Sequence, residues 1–88
     1  MENKVKRAIE MLDQISEDNS IPRNIRRGAT EAKEKLMDES QPLDVRASGA
    51  IFIMDELAND QNLPLHGRTV VWNIMSQLEA LFADEIGK

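Results

Sequence analysis

Few side chains in this sequence could do chemistry, and they are scattered. The chain has one histidine, His66, no cysteine and no tyrosine. Nucleophilic catalysis needs a hydroxyl or thiol beside a base. Without cysteine there is no thiolate nucleophile, no disulfide and no thiolate metal site. His66 follows Pro64 closely, in the first turn of a helical pattern, where an exposed imidazole is the ordinary outcome. The adjacent carboxylates Glu17-Asp18 and Asp84-Glu85 fall at helix ends, where they serve solubility. Bundle di-iron sites use Glu-x-x-His, which does not occur here. The turns at Asp18-Asn19 and Asp60-Gln61 carry oxygen ligands but lack the spacing and the glycine of a calcium loop. The expectation is a non-enzyme with no catalytic, cofactor-binding or metal-ligating residues, and no cofactor.

Two binding chemistries remain. Arg23, Arg26 and Arg27 form the densest basic cluster, with Lys33 beyond it. Such a cluster can hold a nucleic acid, and an accessory role of that kind is the alternative function. Against it, Glu31 lies one turn from both Arg27 and Lys35, as in ordinary exposed ion pairs. Only 3% of residues are aromatic, so platforms for base stacking are missing. The net charge of −5 also disfavours a polyanion as the main partner. The second chemistry is apolar contact. Trp72 sits on the flank of a helical stripe, where it either packs on a neighbouring helix or anchors an interface.

These residues must be positioned by one small domain, spanning residues 1–88. Hydrophobic residues make up 41% and charged residues 31%, the balance of a folded chain rather than a disordered tail. No apolar run approaches the roughly 20 residues of a membrane span, because Ala50–Met54 is stopped by Asp55 and Glu56. Met1–Lys4 lacks the apolar region of a signal peptide, and Glu2 stands where myristoylation needs glycine. A cytoplasmic protein with no membrane partner is expected.

Three prolines, Pro22, Pro42 and Pro64, each follow a polar stretch and precede a helical pattern. The spacing predicts helices over about Glu2–Glu17, Pro22–Met37, Leu43–Ala58 and Pro64–Ile86. Ser20, Ser40 and Asn62 are the expected N-caps, and Gly87 closes the last helix. The inward stripes are Val5, Ala8, Ile9, Leu12 and Ile15; then Ile25, Ala29, Ala32 and Leu36; then Leu43, Ala47, Ala50, Met54 and Leu57; then Val71, Ile74, Met75, Leu78, Phe82 and Ile86. Strand patterning is absent. Gly28 and Gly49 lie inside helices, where glycine costs about 1 kcal/mol against alanine unless it relieves crowding. At least one should mark a close helix approach.

A shift of 42 residues superimposes the two halves. Ala8-Ile9 falls on Ala50-Ile51, Asp18 on Asp60, Pro22 on Pro64, Arg26 on Arg68 and Leu36 on Leu78. Each unit is a helix, a turn and a helix, so the expected fold is an all-α, four-helix up-and-down bundle of two similar helical hairpins. All three prolines are followed four residues later by arginine: Arg26, Arg46 and Arg68. Asp13 with Arg26, and Asp55 with Arg68, are symmetric about their turns and are expected to form structural ion pairs.

The third helix departs from simple amphipathicity. Val45 and Phe52, seven residues apart, share a face opposite its main stripe. Leaving a phenylalanine exposed forgoes roughly 1.5–3 kcal/mol of burial, which a partner can use. Val45, Phe52 and Trp72 are therefore the candidate interface, with a protein partner, including a symmetric homodimer, as the expected occupant; the alternative is a curved or skewed bundle that covers Phe52 internally.

The run Ile21–Arg27 and the run Leu63–Ile74, with its Pro-Leu-His-x-Arg-Thr core, resemble the small archaeal proteins of uncharacterised protein family 0147. Ala8–Asp13 and Asp44–Ala47 are similar to family positions too, and the likeness extends from about Val5 to Leu81. The resemblance implies an all-helical, four-helix up-and-down domain. It implies no activity, substrate or catalytic residue. The reading from residues and resemblance together is a small helical interaction or structural module of unknown function.

Overall fold

The computed structural model describes residues 2–86, and the side chains of residues 3–84. Its elements are α1 (Glu2–Glu17), α2 (Arg23–Met37), α3 (Leu43–Ala58) and α4 (Leu65–Ile86), with no strand among the described residues. The expected Gly87 stop and the side chains of Glu85 and Ile86 lie outside the described residues.

Each helix packs on its neighbours in sequence, and α1 closes the ring against α4. Among the described residues the diagonal pairs α1–α3 and α2–α4 make no close backbone approach, so the arrangement is an up-and-down square. The bundle measures 38 × 19 × 19 Å. Its long axis follows from α4, whose 22 residues span about 33 Å at 1.5 Å each.

The core is wholly apolar among the described residues and draws on all four helices. Leu12, Ile15, Ile25, Leu36, Met54, Val71, Ile74, Leu78 and Leu81 are its largest fully buried members. Leu81, outside the expected α4 stripe, is completely buried, whereas Met75 and Phe82 are only partly covered. Small residues are buried on both members of the α2–α3 pair: Gly28, Ala29 and Ala32 on α2, Ala47 and Ala50 on α3. Gly28 is the close approach the sequence points to. A Cβ there would stand 2.6 Å from Leu57 Cδ2, whereas at Gly49 the nearest atom, Lys35 Cδ, would be 3.5 Å away.

The turns correct the expected caps. Pro22 and Pro42 themselves occupy the N-cap positions, with no side-chain cap bond. Ser20, Ser40 and Asn62 instead serve the preceding aspartate. Asp18 Oδ1 accepts the Ser20 N–H at 2.9 Å, Asp38 Oδ1 the Ser40 N–H at 3.1 Å, and Asp60 Oδ1 the Asn62 N–H at 2.8 Å. In each turn the next N–H returns to the aspartate carbonyl: Ile21 at 3.0 Å, Gln41 at 3.2 Å and Leu63 at 3.2 Å. These are Asx turns, in which a short carboxylate replaces a backbone acceptor and leaves the proline to open the helix. The same device occurs three times, so the turn between the two hairpins is built like the turns within them.

Candidate functional site

Two regions gather the chemically capable side chains. The first is the end of the bundle where the α1–α2 and α3–α4 turns meet. Asn24 Nδ2 donates to Asp60 Oδ2 at 2.8 Å, and His66 Nε2 stands 3.8 Å from Asp18 Oδ2. The 42-residue shift turns Asn24 into His66 and Asp18 into Asp60, so these are one contact made twice, each hairpin reaching for the other's turn. The reciprocity shows that the internal repeat is a repeat of structure.

Ser20 Oγ lies 3.1 Å from His66 Nε2, which brings a serine, a histidine and an aspartate together. The geometry does not make a nucleophile. Ser20 Oγ donates to Asp18 Oδ1 at 2.6 Å, and serine and aspartate both approach the same imidazole nitrogen. A relay needs the aspartate on the nitrogen opposite the nucleophile. The cluster is also exposed, so no water-excluding wall strengthens its electrostatics.

The hydroxyl and backbone N–H of Ser20 hold the Asp18 carboxyl below the ordinary carboxylate range, and those of Ser40 do the same for Asp38. Both depressions favour the charged form in the folded state. The stabilisation is present above the unfolded carboxylate value and is lost as pH falls through the folded one. Titration followed by carboxyl NMR is expected to place both midpoints below the ordinary aspartate value, with Ser20→Ala and Ser40→Ala each raising only its own partner. Unchanged midpoints in the variants would refute the assignment.

The expected ion pairs do not form. Arg26 Nε donates to the Ile21 carbonyl at 3.0 Å, and Arg68 Nη1 donates to the Ala58 carbonyl at 3.0 Å. Arg46, the third arginine of the series, donates through Nη1 to the Leu36 carbonyl at 2.9 Å. Helix ends and turns leave carbonyls without backbone partners, and the C-terminal end of a helix carries partial negative charge. These carbonyls take the guanidinium groups away from the carboxylates. Asp13 pairs instead with Lys33 at 2.8 Å, two turns beyond Arg26 on the same face of α2. Among the described residues no cation lies within ion-pairing distance of Asp55. The arginine cluster is divided for the same reason: Arg23 and Arg27 are exposed, while Arg26 is part-buried and tied to its turn.

The second region is apolar. Phe52 is 69% exposed and Trp72 55%, with Val45 and Leu65 also in solvent. Trp72 lies one turn beyond Arg68, the residue of α4 that reaches over to the Ala58 carbonyl, so the two share a face of α4. Phe52 is six residues before the end of α3 and Trp72 seven after the start of α4, which places them at one height on the hairpin. Trp72 is thus not a core residue. Leu65, which the sequence reading left out, joins the set; its spacing of seven residues from Trp72 was the available signal.

The architecture defines a class: a small all-α bundle of two equivalent helical hairpins, joined by Asx-turn corners and carrying an exposed aromatic flank. The model of a family described as "Uncharacterised protein family (UPF0147)" matches residues 1–81, and the chain belongs to that family. A UPF0147 protein of Methanosarcina acetivorans is 47% identical over 81 residues, covering 92% of this chain and 84% of the relative. One from Methanothermobacter thermautotrophicus is 52% identical over 75 residues, 85% of this chain and 74% of that protein. The crystal structure of the UPF0147 protein from Thermoplasma acidophilum superposes with a TM-score of 0.88 at 41% identity, over 91% of this chain and 94% of its own. The family is uncharacterised, its function unknown. No helix among the described residues is long and apolar enough to cross a membrane.

Proposed function

We propose that this protein is a non-enzymatic, cytoplasmic interaction module that binds a protein through the α3–α4 flank. The observation that carries this reading is the exposure of Phe52 and Trp72 at one height on a single hairpin. Aromatic side chains supply large, rigid contact area at interfaces, and tryptophan is prominent among interface hot spots. Each ring left in water also withholds burial that a partner can recover.

The test is affinity capture from the native host with wild type and the Phe52→Ser/Trp72→Ser double variant. Both sites are exposed, so the variant is expected to keep its fold, with stability within about 0.5 kcal/mol per site. A partner retained by wild type and lost by the variant supports the reading. Identical captured proteins from both would refute it. Sedimentation of the same two proteins reports whether the occupant is a second copy of this chain.

A further inference from the structure

We infer that the occupant of the α3–α4 flank is a basic amphipathic helix of another protein, with lysine or arginine bordering its apolar stripe. This rests on the interaction reading above and specifies the partner's chemistry. Charge carries it. Residues 43–86 hold two arginines against seven acidic residues, whereas residues 1–42 hold eight cations against nine acids. The chain's net negative charge therefore comes from the second hairpin. Both of its arginines are half-buried and spent on carbonyls, Arg46 on Leu36 and Arg68 on Ala58. Nothing comparable neutralises Asp55, and Asp44 and Glu79 belong to the same pair of helices. Among the described residues cations approach this hairpin at its two edges: from α1, where Lys4 pairs with Asp84 at 2.8 Å, and from α2, where the Lys35 stem would meet a Cβ at Gly49 and Arg27 shares a groove with Ile53 and Glu56.

By their helix positions the exposed apolar residues are spaced along the hairpin. Leu65 lies beside the turn, Phe52 and Trp72 follow, and Val45 is thirteen residues from the end of α3. At 1.5 Å per residue this strip of positions is about 20 Å long, the length of a helix of about 14 residues. A helix laid along such a strip anchors through side chains spaced three, four and seven apart. Acidic residues beside the strip attract cations on the flanks of that helix and repel carboxylates. A second copy of this hairpin would bring its own acidic residues to the contact, which is the arrangement that like charge opposes.

Trp72 is the only tryptophan and sits in the strip, so its emission reports occupancy directly. Three synthetic 14-residue peptides serve as probes. The first carries leucine at helical spacing with lysine elsewhere, the second replaces lysine by glutamate, and the third scrambles the first at equal composition. At physiological salt the lysine–leucine helix is expected to shift Trp72 emission to shorter wavelength and to bind at least tenfold more tightly than either control. Phe52→Ser should weaken it at least tenfold, and Asp55→Lys/Glu79→Lys should reverse the preference toward the glutamate peptide. Equal binding of the scramble would reduce the effect to bulk charge and overturn the inference, as would equal binding of the glutamate peptide or no binding of the lysine peptide. A Trp72 shift with rising protein concentration alone would overturn it in favour of self-association and leave the flank as the binding face. A partner captured through Phe52 and Trp72, combined with failure of all three peptides, would likewise sink only the charge argument.

Discussion

Leu36→Ala is expected to lower the unfolding free energy by about 2–5 kcal/mol, and Leu78→Ala by a similar amount. Both side chains are fully buried, and the 42-residue shift relates them. Truncating a buried leucine loses its transfer free energy and leaves a cavity that the surroundings close only in part. Here each leucine is enclosed by helices that are already in contact, so little collapse is available. A domain of this size has roughly 4–13 kcal/mol of total stability, so either change removes a large fraction. At about 4–8 °C per kcal/mol, the midpoint should fall by roughly 10 °C or more. Urea unfolding with an unchanged slope checks the assignment to the folded state. A loss under about 1 kcal/mol at either site would show that its surroundings can collapse. Losses that differ several-fold would break the equivalence of the two hairpins in the core.

The second large effect separates two glycines of the same type and context. Gly28→Val is expected to destabilise by about 3 kcal/mol, whereas Gly49→Ala is expected to stabilise by about 0.5–1 kcal/mol. A Cβ at position 28 would stand 2.6, 2.9 and 3.1 Å from Cδ2, Cδ1 and Cγ of Leu57. The whole branched end of Leu57 would have to move, and that side chain is only 8% exposed. Valine adds two further methyl groups to a space that cannot take the first. At position 49 the nearest atom is 3.5 Å away, on the flexible stem of Lys35, so alanine gains helix propensity without a clash. Thermal melts of both variants with Gly28→Ala decide the matter. Gly28→Ala should lose stability despite its better propensity, and a gain there would show that Leu57 swings aside freely.

Sequence and structure part company according to the range of the interactions. The four helices, their bounds to within a residue and the hairpin repeat were legible, because they rest on local periodicity and on prolines that cannot continue a helix. The exposed flank at Phe52 was legible for the same reason. Residues seven apart share a face, and the opposite stripe of Ala47, Ala50 and Met54 already claims the core. Even the Asx turns were present as Asp-x-Ser/Asn-x-Pro, repeated at Asp18, Asp38 and Asp60, although serine before a proline invites a reading as an N-cap.

The amino-acid sequence by itself determined the helices, their pairing into two equivalent hairpins and the family. Only the tertiary structure decided the partners of the charged side chains and the side of α4 on which Trp72 lies. Symmetry about a turn predicts which residues share a height, but not which acceptor at that height is unclaimed. Arg26, Arg46 and Arg68 turn to carbonyls whose lack of a partner appears only when the helices end. The meeting of His66 with Asp18, and of Asn24 with Asp60, spans positions distant along the chain. It depends on how the two hairpins rotate against each other, which is set by core packing rather than by any local pattern.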